Sequence, residues 1–421
     1  MKKLLLIILC LPVIGLGQNF IETYGANNMF ADIGSSAQQT NDGGYIIVGY
    51  TYSIATSSFD IYLIKTDGSG VEQWSKTFDG IGNGWDDFGY SVQQTNDAGY
   101  IIAGKGSKNI IKTDVNGIEQ WSNYFPVILR SVQQTTDGGY IIAGTNSNIS
   151  PDVLLIKTNA NGDSLWSKTF GGTSEDYGYS VQQTSDGGYI ICGYTESFGN
   201  GNKDVFLLKT DGSGIAQWYQ TFGGTDDDEG HSVQQTTDGG YIISGTTFSF
   251  GNGSSDVYLI KTDGNGIEQW NYTFGTNYYD IGYSVKQTND GGYIIAGVKS
   301  TGSLNLDKDI LLLKVSGNGA YIWERIGGST KEDVGYSVQK TDDGGYVIAG
   351  SSESQSSSKD IILLKFDADG YVSSTSLEEH TTNHNLLKVT DLLGRETKGT
   401  KNEVLFYIYD DGTVEKRIVI E

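Results

Sequence analysis

The feature that most constrains the fold is a repeated segment, Asp-Gly-Gly-Tyr. Its seven copies place the Asp at positions 42, 97 (where the segment reads Asp-Ala-Gly-Tyr), 137, 186, 238, 290 and 343. One full unit, 166–217, holds four short runs of β-branched and aromatic residues separated by turn residues. No stretch has the periodicity of an amphipathic helix. Units of about 50 residues with four strands each predict an all-β fold, a seven-bladed β-propeller of four-stranded blades, in preference to a solenoid.

The two ends of the repeat region indicate how the ring closes. Residues 20–24 align with the fourth strand of a unit, 166–170, whereas the seventh unit ends after 360–366 with Ser374 where the usual Trp would stand. The last blade therefore lacks a strand and the N-terminus has a spare one. We predict that 20–24 pairs with 360–366 and completes the seventh blade.

Composition and charge exclude several classes of protein. The chain has 59 Gly but only 3 Pro among 421 residues, which favours tight turns between strands over collagen or disorder. Its formal net charge is −23, which would repel a phosphate backbone. No nucleic-acid partner is expected.

The hairpin before each Trp resembles that of the quinoprotein propellers, which carry Asp-x-x-Thr-Gly-x-x-x-Trp. Here the spacing is one residue shorter and lacks the Thr, as in Asp67, Gly70 and Trp74. The resemblance supports only the fold, and no cofactor motif accompanies it. It implies that Trp starts the outer strand of a blade and that Ser-Val-Gln-Gln-Thr forms the inner strand. Six in-register Trp are then expected to pack between blades.

The N-terminus has the pattern of a signal peptide over residues 1–17. Lys2 and Lys3 precede a short apolar core, and small residues precede Gln18. Cys10 lacks the small residue before it that a lipoprotein signal requires. Once the signal is removed, Cys192 is the only cysteine, and its apolar strand predicts a buried, inert thiol. We expect an exported protein with no membrane span after signal cleavage.

A change of composition separates the C-terminus from the propeller, which we assign to 18–372. Residues 373–385 are rich in Ser, Thr and Asn, which predicts a linker, and three strands with two turns follow in 386–421. This tail resembles the C-terminal sorting domain of the type IX secretion system of Bacteroidota, although it is shorter. The matching residues are Asp391, Gly394 and Arg395 in the first turn and Lys416 before the last strand. The resemblance implies recognition by that secretion machinery and delivery to the cell surface or the medium. The alternative is a small β-appendage of the propeller.

The residue types of most enzyme sites are scarce in the propeller. His231 is its only histidine, and it occupies a slot that Tyr fills in other units, so we expect a packing role. A multi-His metal site is excluded by count. Arg130 and Arg325 are its only arginines, whereas sialidase-like sites use three. No catalytic residue is assigned.

Carboxylates are abundant, but most recur in register. One acid per connector repeats at Asp32, Asp87, Asp176, Asp228, Asp280 and Asp333. Such regularity favours a structural role, in which the carboxylate caps backbone N–H groups of the connector. Calcium binding by clusters such as 226–229 is an open alternative, although no Asp-x-Asp-x-Asp-Gly loop occurs. A glycosidase carboxylate pair also remains open.

The predicted ring has one face at which the loops vary among repeats, and we call this face the variable face. It carries the loops within blades, such as 195–204, and the connectors between blades. Units two and three are shortened there, which predicts a notch in the rim. The candidate binding residues are the irregular ones at this face: Trp85, Asp86, Asp87, Asp227, Asp228, Tyr278 and Tyr279. They favour a binding or adhesion module for a glycan or protein. A secreted carbohydrate-active enzyme is the alternative.

Overall fold

The computed structural model describes residues 19–25, 30–55, 57–79, 85–146, 149–300, 302, 308–329, 331–353, 358–372, 386–390, 404–409 and 414–418. The chain divides into two compact units, Met1–Ser376 and Leu377–Glu421. The predicted signal peptide (1–17) and linker (373–385) lie outside the described residues, as do Asp391, Gly394 and Arg395 of the predicted sorting signal.

The described part of the first unit consists of β-strands joined by turns and loops, numbered here in chain order. The strands of the N-terminus and blades one to three are β1 (Phe20–Tyr24), β2 (Ile33–Gln39), β3 (Tyr45–Ser53), β4 (Ser58–Thr66), β5 (Glu72–Phe78), β6 (Phe88–Gln94), β7 (Tyr100–Lys105), β8 (Ile110–Thr113), β9 (Glu119–Asn123), β10 (Ile128–Gln134), β11 (Tyr140–Thr145), β12 (Val153–Thr158) and β13 (Ser164–Phe170). Those of blades four to seven are β14 (Asp176–Gln183), β15 (Tyr189–Thr195), β16 (Asp204–Thr210), β17 (Ala216–Phe222), β18 (Asp228–Gln235), β19 (Tyr241–Thr247), β20 (Asp256–Thr262), β21 (Glu268–Phe274), β22 (Asp280–Gln287), β23 (Tyr293–Ser300), β24 (Lys308–Val315), β25 (Tyr321–Gly327), β26 (Asp333–Lys340), β27 (Tyr346–Ser352) and β28 (Asp360–Phe366).

These strands form seven antiparallel four-stranded sheets within the described residues, which confirms the predicted seven-bladed propeller. Blade one has the order β2-β3-β4-β5, and blades two to six repeat it. The first strand of each blade is the inner one, as predicted. Neighbouring inner strands are joined around the axis by hydrogen bonds such as the one that Gln94 N donates to Gln38 Oε1 over 2.7 Å.

The ring closes through the N-terminal strand, which confirms the predicted pairing. The seventh sheet has the order β1-β28-β27-β26, and β1 is antiparallel to β28 from Phe20 opposite Lys365 to Tyr24 opposite Ile361. Phe20 and Tyr24 are both buried, and the Tyr24 hydroxyl donates a 2.5 Å hydrogen bond to Gly70 O of blade one. The closing strand is therefore bonded to one blade and packed against the next.

The core lies between blades and is built from the repeat itself. The middle two strands of each blade are buried on both faces, so they read as continuous apolar runs such as Tyr189–Thr195. The outer-strand Trp packs against the Tyr that begins the second strand of the next blade, as Trp166 does against Tyr189 at 6.0 Å between ring centroids. A Cβ on Gly214 would lie 2.7 Å from the Trp166 ring, so the turn before each Trp requires a small residue. The packing role predicted for the in-register Trp is confirmed.

A buried lysine holds the Asp-Gly-Gly turn of each blade. Lys209 Nζ lies 2.8 Å from Asp186 of the Asp-Gly-Gly turn and donates a further hydrogen bond to Thr210 O. Burial alone would raise the pKa of Asp186, but hydrogen bonds from Lys209 and Thr184 outweigh it and lower the pKa to about 2. A Cβ on Gly188 would lie 2.5 Å from Lys209 Nζ, which explains the second glycine of the motif. The same ion pair, 2.8–2.9 Å long, occurs in all seven blades.

The described part of the second unit is a three-stranded antiparallel sheet. Its strands are β29 (Leu386–Thr390), β30 (Val404–Tyr409) and β31 (Val414–Ile418), in the order β29-β30-β31. Lys416 of the predicted sorting signal lies on β31, opposite Phe406 on β30.

Removing the closing strand should open the ring. We expect deletion of residues 19–25 from the mature protein to lower its free energy of unfolding by about 5 kcal/mol or more, because Phe20 and Tyr24 leave the core and β28 loses one of its two neighbouring strands. Thermal unfolding followed by circular dichroism measures the effect. The control is a chain that ends at residue 376, whose propeller keeps every strand. Equal melting temperatures for the deletion and the control would contradict this account of closure.

Candidate functional site

The predicted residues of the first connector lie between blades one and two. The Trp85 side chain is 70% exposed. Asp86 Oδ1 accepts a 3.1 Å hydrogen bond from Phe59 N, and Asp87 is buried with its Oδ1 accepting a 2.6 Å bond from Ser107 N. Trp85 and Asp86 are thus available at the surface, whereas Asp87 is a structural element of this junction.

The other predicted residues lie on both sides of the loop of blade five. Phe248 of that loop donates its N–H to Asp227 O over 2.9 Å, and its ring lies 6.3 Å from that of Tyr279. Tyr278 and Tyr279 are half-buried, and Asp228 is fully buried. The structure therefore brings Asp227, Phe248 and Tyr279 together, and it places Trp85 at a different blade junction.

The recurring connector acids have the capping role predicted for them. Asp228 Oδ2 accepts 2.8 Å and 2.7 Å hydrogen bonds from Gly224 N and Ser249 Oγ, and Asp176 accepts the matching pair from Gly172 N and Ser197 Oγ. Both carboxylates are buried. These acids hold the connectors and are not presented to a ligand.

A second acid at the start of the third strand faces each connector acid. A Cβ on Gly223 would lie 2.2 Å from Asp204 Oδ1 and 2.6 Å from Asp228 Oδ2, so the two carboxylates converge on this glycine. Burial raises the pKa of four acids of the third strands, Asp60, Asp204, Asp256 and Asp360. Burial, with the charge of Asp280, raises the pKa of Asp256 to about 6, although a hydrogen bond from Asn252 N opposes the shift. Burial, with the charges of Asp79 and Asp87, also raises the pKa of Asp60 to about 6.

Sequence reasoning missed a ring of side chains near the variable-face end of the inner strands. In each blade the register shifts at the third or fourth residue of the inner strand, as between Gly178 and Ser180, so one residue is bulged out of the ladder. The bulged residues of blades two to seven form what we call the axial collar: Tyr90, Arg130, Tyr179, His231, Tyr283 and Tyr336.

Members of the axial collar contact one another from blade to blade. His231 lies between the rings of Tyr179 and Tyr283, at 5.6 Å and 5.3 Å, and Tyr283 lies 5.3 Å from Tyr336. The Arg130 guanidinium lies 4.5 Å from the Tyr90 ring centroid and 5.8 Å from that of Tyr179. The one place without a large collar residue is Ser35 of blade one. The collar is thus a nearly continuous band of aromatic and cationic groups.

The collar is chemically suited to binding. Its side chains are half-buried, and the hydroxyls of Tyr90, Tyr179 and Tyr283 make no hydrogen bond within the described residues. His231 Nε2 is 3.1 Å from Thr246 Oγ1, and burial lowers the His231 pKa, so the ring is neutral at pH 7. Aromatic faces beside unused hydroxyls can stack on a ligand and hydrogen-bond to it. The sequence signal is the varying residue before Ser-Val in the inner strand, and the ring contacts of His231 agree with the packing role predicted for it.

Other chemistries have little support in the described ranges. Nowhere in them do three or more His, Cys, Asp or Glu side chains converge as a metal site would require. Cys192 is buried, as predicted, and burial raises the pKa of its thiol. Within the described residues there is no helix long and apolar enough to span a membrane.

Comparisons with known proteins give the fold and not the function. No family model matches the chain. No curated protein matches it either. The WD40 β-propeller domain of Doa1 is 14% identical and aligns over 82% of this chain and 96% of its own, with a TM-score of 0.53. The Pan2 WD40 domain of Neurospora crassa (11% identity, 83% and 96% coverage) and a streptogramin B lyase (13%, 82% and 97%) each have a TM-score of 0.52. At these identities the likeness shows the propeller fold alone.

The raised pKa of Asp256 should be visible as pH-dependent stability. A carboxyl whose pKa is higher in the folded state stabilises the protein fully below its ordinary pKa of about 4, and that contribution is lost as the pH rises through about 6. Asp256→Asn removes the charge and keeps an oxygen for the Asn252 N–H. We expect the melting temperature of the variant minus that of the wild type to be about 2–4 °C higher at pH 7.5 than at pH 5.

The matched control for this test is Asp226→Asn, at an exposed acid of the variable face. Its melting temperature relative to the wild type should be the same at both pH values. A pH-independent effect of Asp256→Asn would show that burial of this carboxylate is not coupled to its ionisation.

Proposed function

We propose that the protein is an exported binding module whose propeller holds a saccharide at the axial collar. The observation that carries the proposal is the collar itself, in which Tyr rings, three of them with unpaired hydroxyls, line the inner strands near the variable face. Sugars present apolar C–H faces and many hydroxyls, and this combination matches aromatic faces beside free hydrogen-bonding groups. The likeness to propellers that include WD40 domains supports a binding or scaffold role.

Binding fits these residues better than hydrolysis does. A glycosidase needs two carboxyl groups about 5–9.5 Å apart at a single asymmetric place. The recurring acids of this propeller are instead repeated from blade to blade, and Asp176 and Asp228 are engaged by connector N–H and hydroxyl groups. The collar contributes no carboxylate. The proposed activity is therefore recognition without bond cleavage.

The destination of the protein is proposed from its ends. The charged and apolar pattern of residues 1–17 supports export to the periplasm, and the motif with Asp391, Gly394, Arg395 and Lys416 supports passage through the type IX machinery. The three-stranded sheet formed by β29, β30 and β31 agrees with the strands expected of a sorting domain. Together they favour a location at the outer surface of the cell or in the medium.

The collar should be required for glycan binding. We expect wild-type protein to bind a subset of an immobilised glycan array, and Tyr179→Ala or Tyr283→Ala to weaken that binding at least about tenfold because a stacking face is lost. Tyr321→Ala is the control, since Tyr321 is 56% exposed on an outer strand. The melting temperature of each variant separates lost binding from lost folding.

The same preparations decide between binding and hydrolysis. Reducing-sugar release is measured on every glycan that binds, and we expect none. Release that disappears in a single Asp→Asn variant at the variable face, such as Asp86→Asn, would overturn the binding-only proposal. Failure of the wild type to bind any glycan would overturn the proposed function.

The tail should be required for the last step of export. In a Bacteroidota host that carries the type IX system, we expect a chain truncated after residue 385 to be retained in the periplasm, while the full chain reaches the surface or the medium. Arg395→Ala should have the same effect, and Lys388→Ala on β29 is the control. Immunoblots of cell fractions measure the distribution. Normal export of the truncated chain would contradict the sorting role.

A further inference from the structure

Arg130 is the member of the axial collar that breaks the repeat most strongly. Four of the other five members are Tyr, and the fifth is a neutral His. The Arg130 guanidinium is held 4.5 Å from the Tyr90 ring centroid, and its Nε is buried without a hydrogen-bond partner. No carboxylate of the described residues lies within 4.0 Å of it. This cation therefore has unused hydrogen-bonding capacity.

A second cation lies on the same aromatic row. The Phe88 and Tyr90 rings are stacked with an interplanar angle of 8°, and Lys105 Nζ lies 5.5 Å from the Phe88 centroid. Lys105 also has no carboxylate within ion-pair distance in the described part of the chain. Two unpaired cations thus occupy one row of side chains in a protein of net charge −23, where seven other lysines are neutralised by turn aspartates.

The junction beside Arg130 is also the one that lacks the repeated carboxylates. Five residues before the third-strand lysine, where the other six blades have an acid, blade two has Ser107, and Val127 stands at the position of the connector acid. Neutral hydrogen bonds from Asn109, directly before β8, hold the connector here. Its Nδ2 donates to Phe125 O and Val127 O over 2.6 Å and 2.8 Å. The six other junctions retain an acid at both positions. Negative charge is therefore removed at the place where the collar gains a cation.

The rim is low at this junction, in agreement with the predicted shortening. β8 has only 4 residues, against 7 for β16 and 9 for β4, and the loop between β7 and β8 spans just 106–109. A ligand can approach Arg130 between blades two and three without displacing a long loop.

We infer that the collar selects an anionic saccharide, whose oxyanion binds Arg130 with support from Lys105. The inference rests on the proposed glycan-binding function and specifies its ligand class. A guanidinium presents two parallel N–H donors that match the two oxygens of a carboxylate or two of the oxygens of a sulfate. Tyr90 and Tyr179 fix the plane of that fork. The sugar ring then lies against the neighbouring Tyr faces.

Two matched pairs of polysaccharides test the inference and separate the two oxyanions. Polygalacturonate is compared with its methyl ester, and dextran sulfate with dextran, by biolayer interferometry against the full mature protein. We expect at least one anionic polymer to bind about tenfold or more tightly than its neutral partner. The pair that shows the difference identifies carboxylate or sulfate as the group bound.

Arg130→Gln should lower the affinity for that polymer at least about tenfold. Arg325→Gln is the matched control, because Arg325 also stacks on two rings, those of Trp323 and Tyr371, but lies on outer strand β25. We expect its affinity to stay within about twofold of the wild type. If Arg130→Gln unfolds, Arg130→Lys retains a charge without the fork and should show an intermediate loss.

Two results would overturn the inference and leave the proposed function standing. One is collar-dependent binding on the glycan array that is equally strong for neutral and anionic members of each pair. The other is an equal loss of affinity for the anionic polymer in Arg130→Gln and Arg325→Gln, which would show that binding depends on the net charge of the protein and not on the collar. Absence of binding to every glycan would overturn both.

Discussion

The buried lysine of each blade is the interaction on which the propeller depends. Lys261, for example, reaches from the third strand to the Asp-Gly-Gly turn, where its Nζ contacts Asp238, and to Gln269 on the outer strand. One ammonium group thereby ties two strands and a turn together at the face opposite the variable face. Only the lysine of this pair is buried, so loss of the aspartate would leave a buried ammonium charge without its counter-ion. The turn glycines, the Asp and the Lys therefore form a single unit that repeats with little change.

That regular unit leaves the opposite face free to vary. The acids of the connectors and third strands serve the scaffold, so the net charge of −23 says little about a ligand. The residues that can distinguish this propeller from another are the ones that depart from the repeat. They concentrate in the collar, in the exposed loops near Trp85 and Phe248, and at the low rim beside Arg130.

Most of the fold could be predicted from the sequence because the pattern is repeated. Seven copies of one hairpin specify the blade, and the missing strand after 360–366 specifies the closure by 20–24. The capping role of the connector acids also followed from their regularity. The site was less accessible to prediction. A bulge such as that at Tyr179 depends on ladder register, so the sequence shows which residue varies but not that the bulged side chains of successive blades meet.

The closing strand has a consequence for assembly between chains. Phe20–Tyr24 and Asp360–Phe366 are separated by most of the propeller sequence, so their pairing has the longest loop to close of any strand pairing in the described residues. Until this pairing forms, β28 presents an unpaired edge that a free strand of matching sequence can join. The β1 of a second copy has that sequence. Crowded nascent chains can thus exchange N-terminal strands and form swapped dimers, and delivery of chains one at a time would disfavour this exchange.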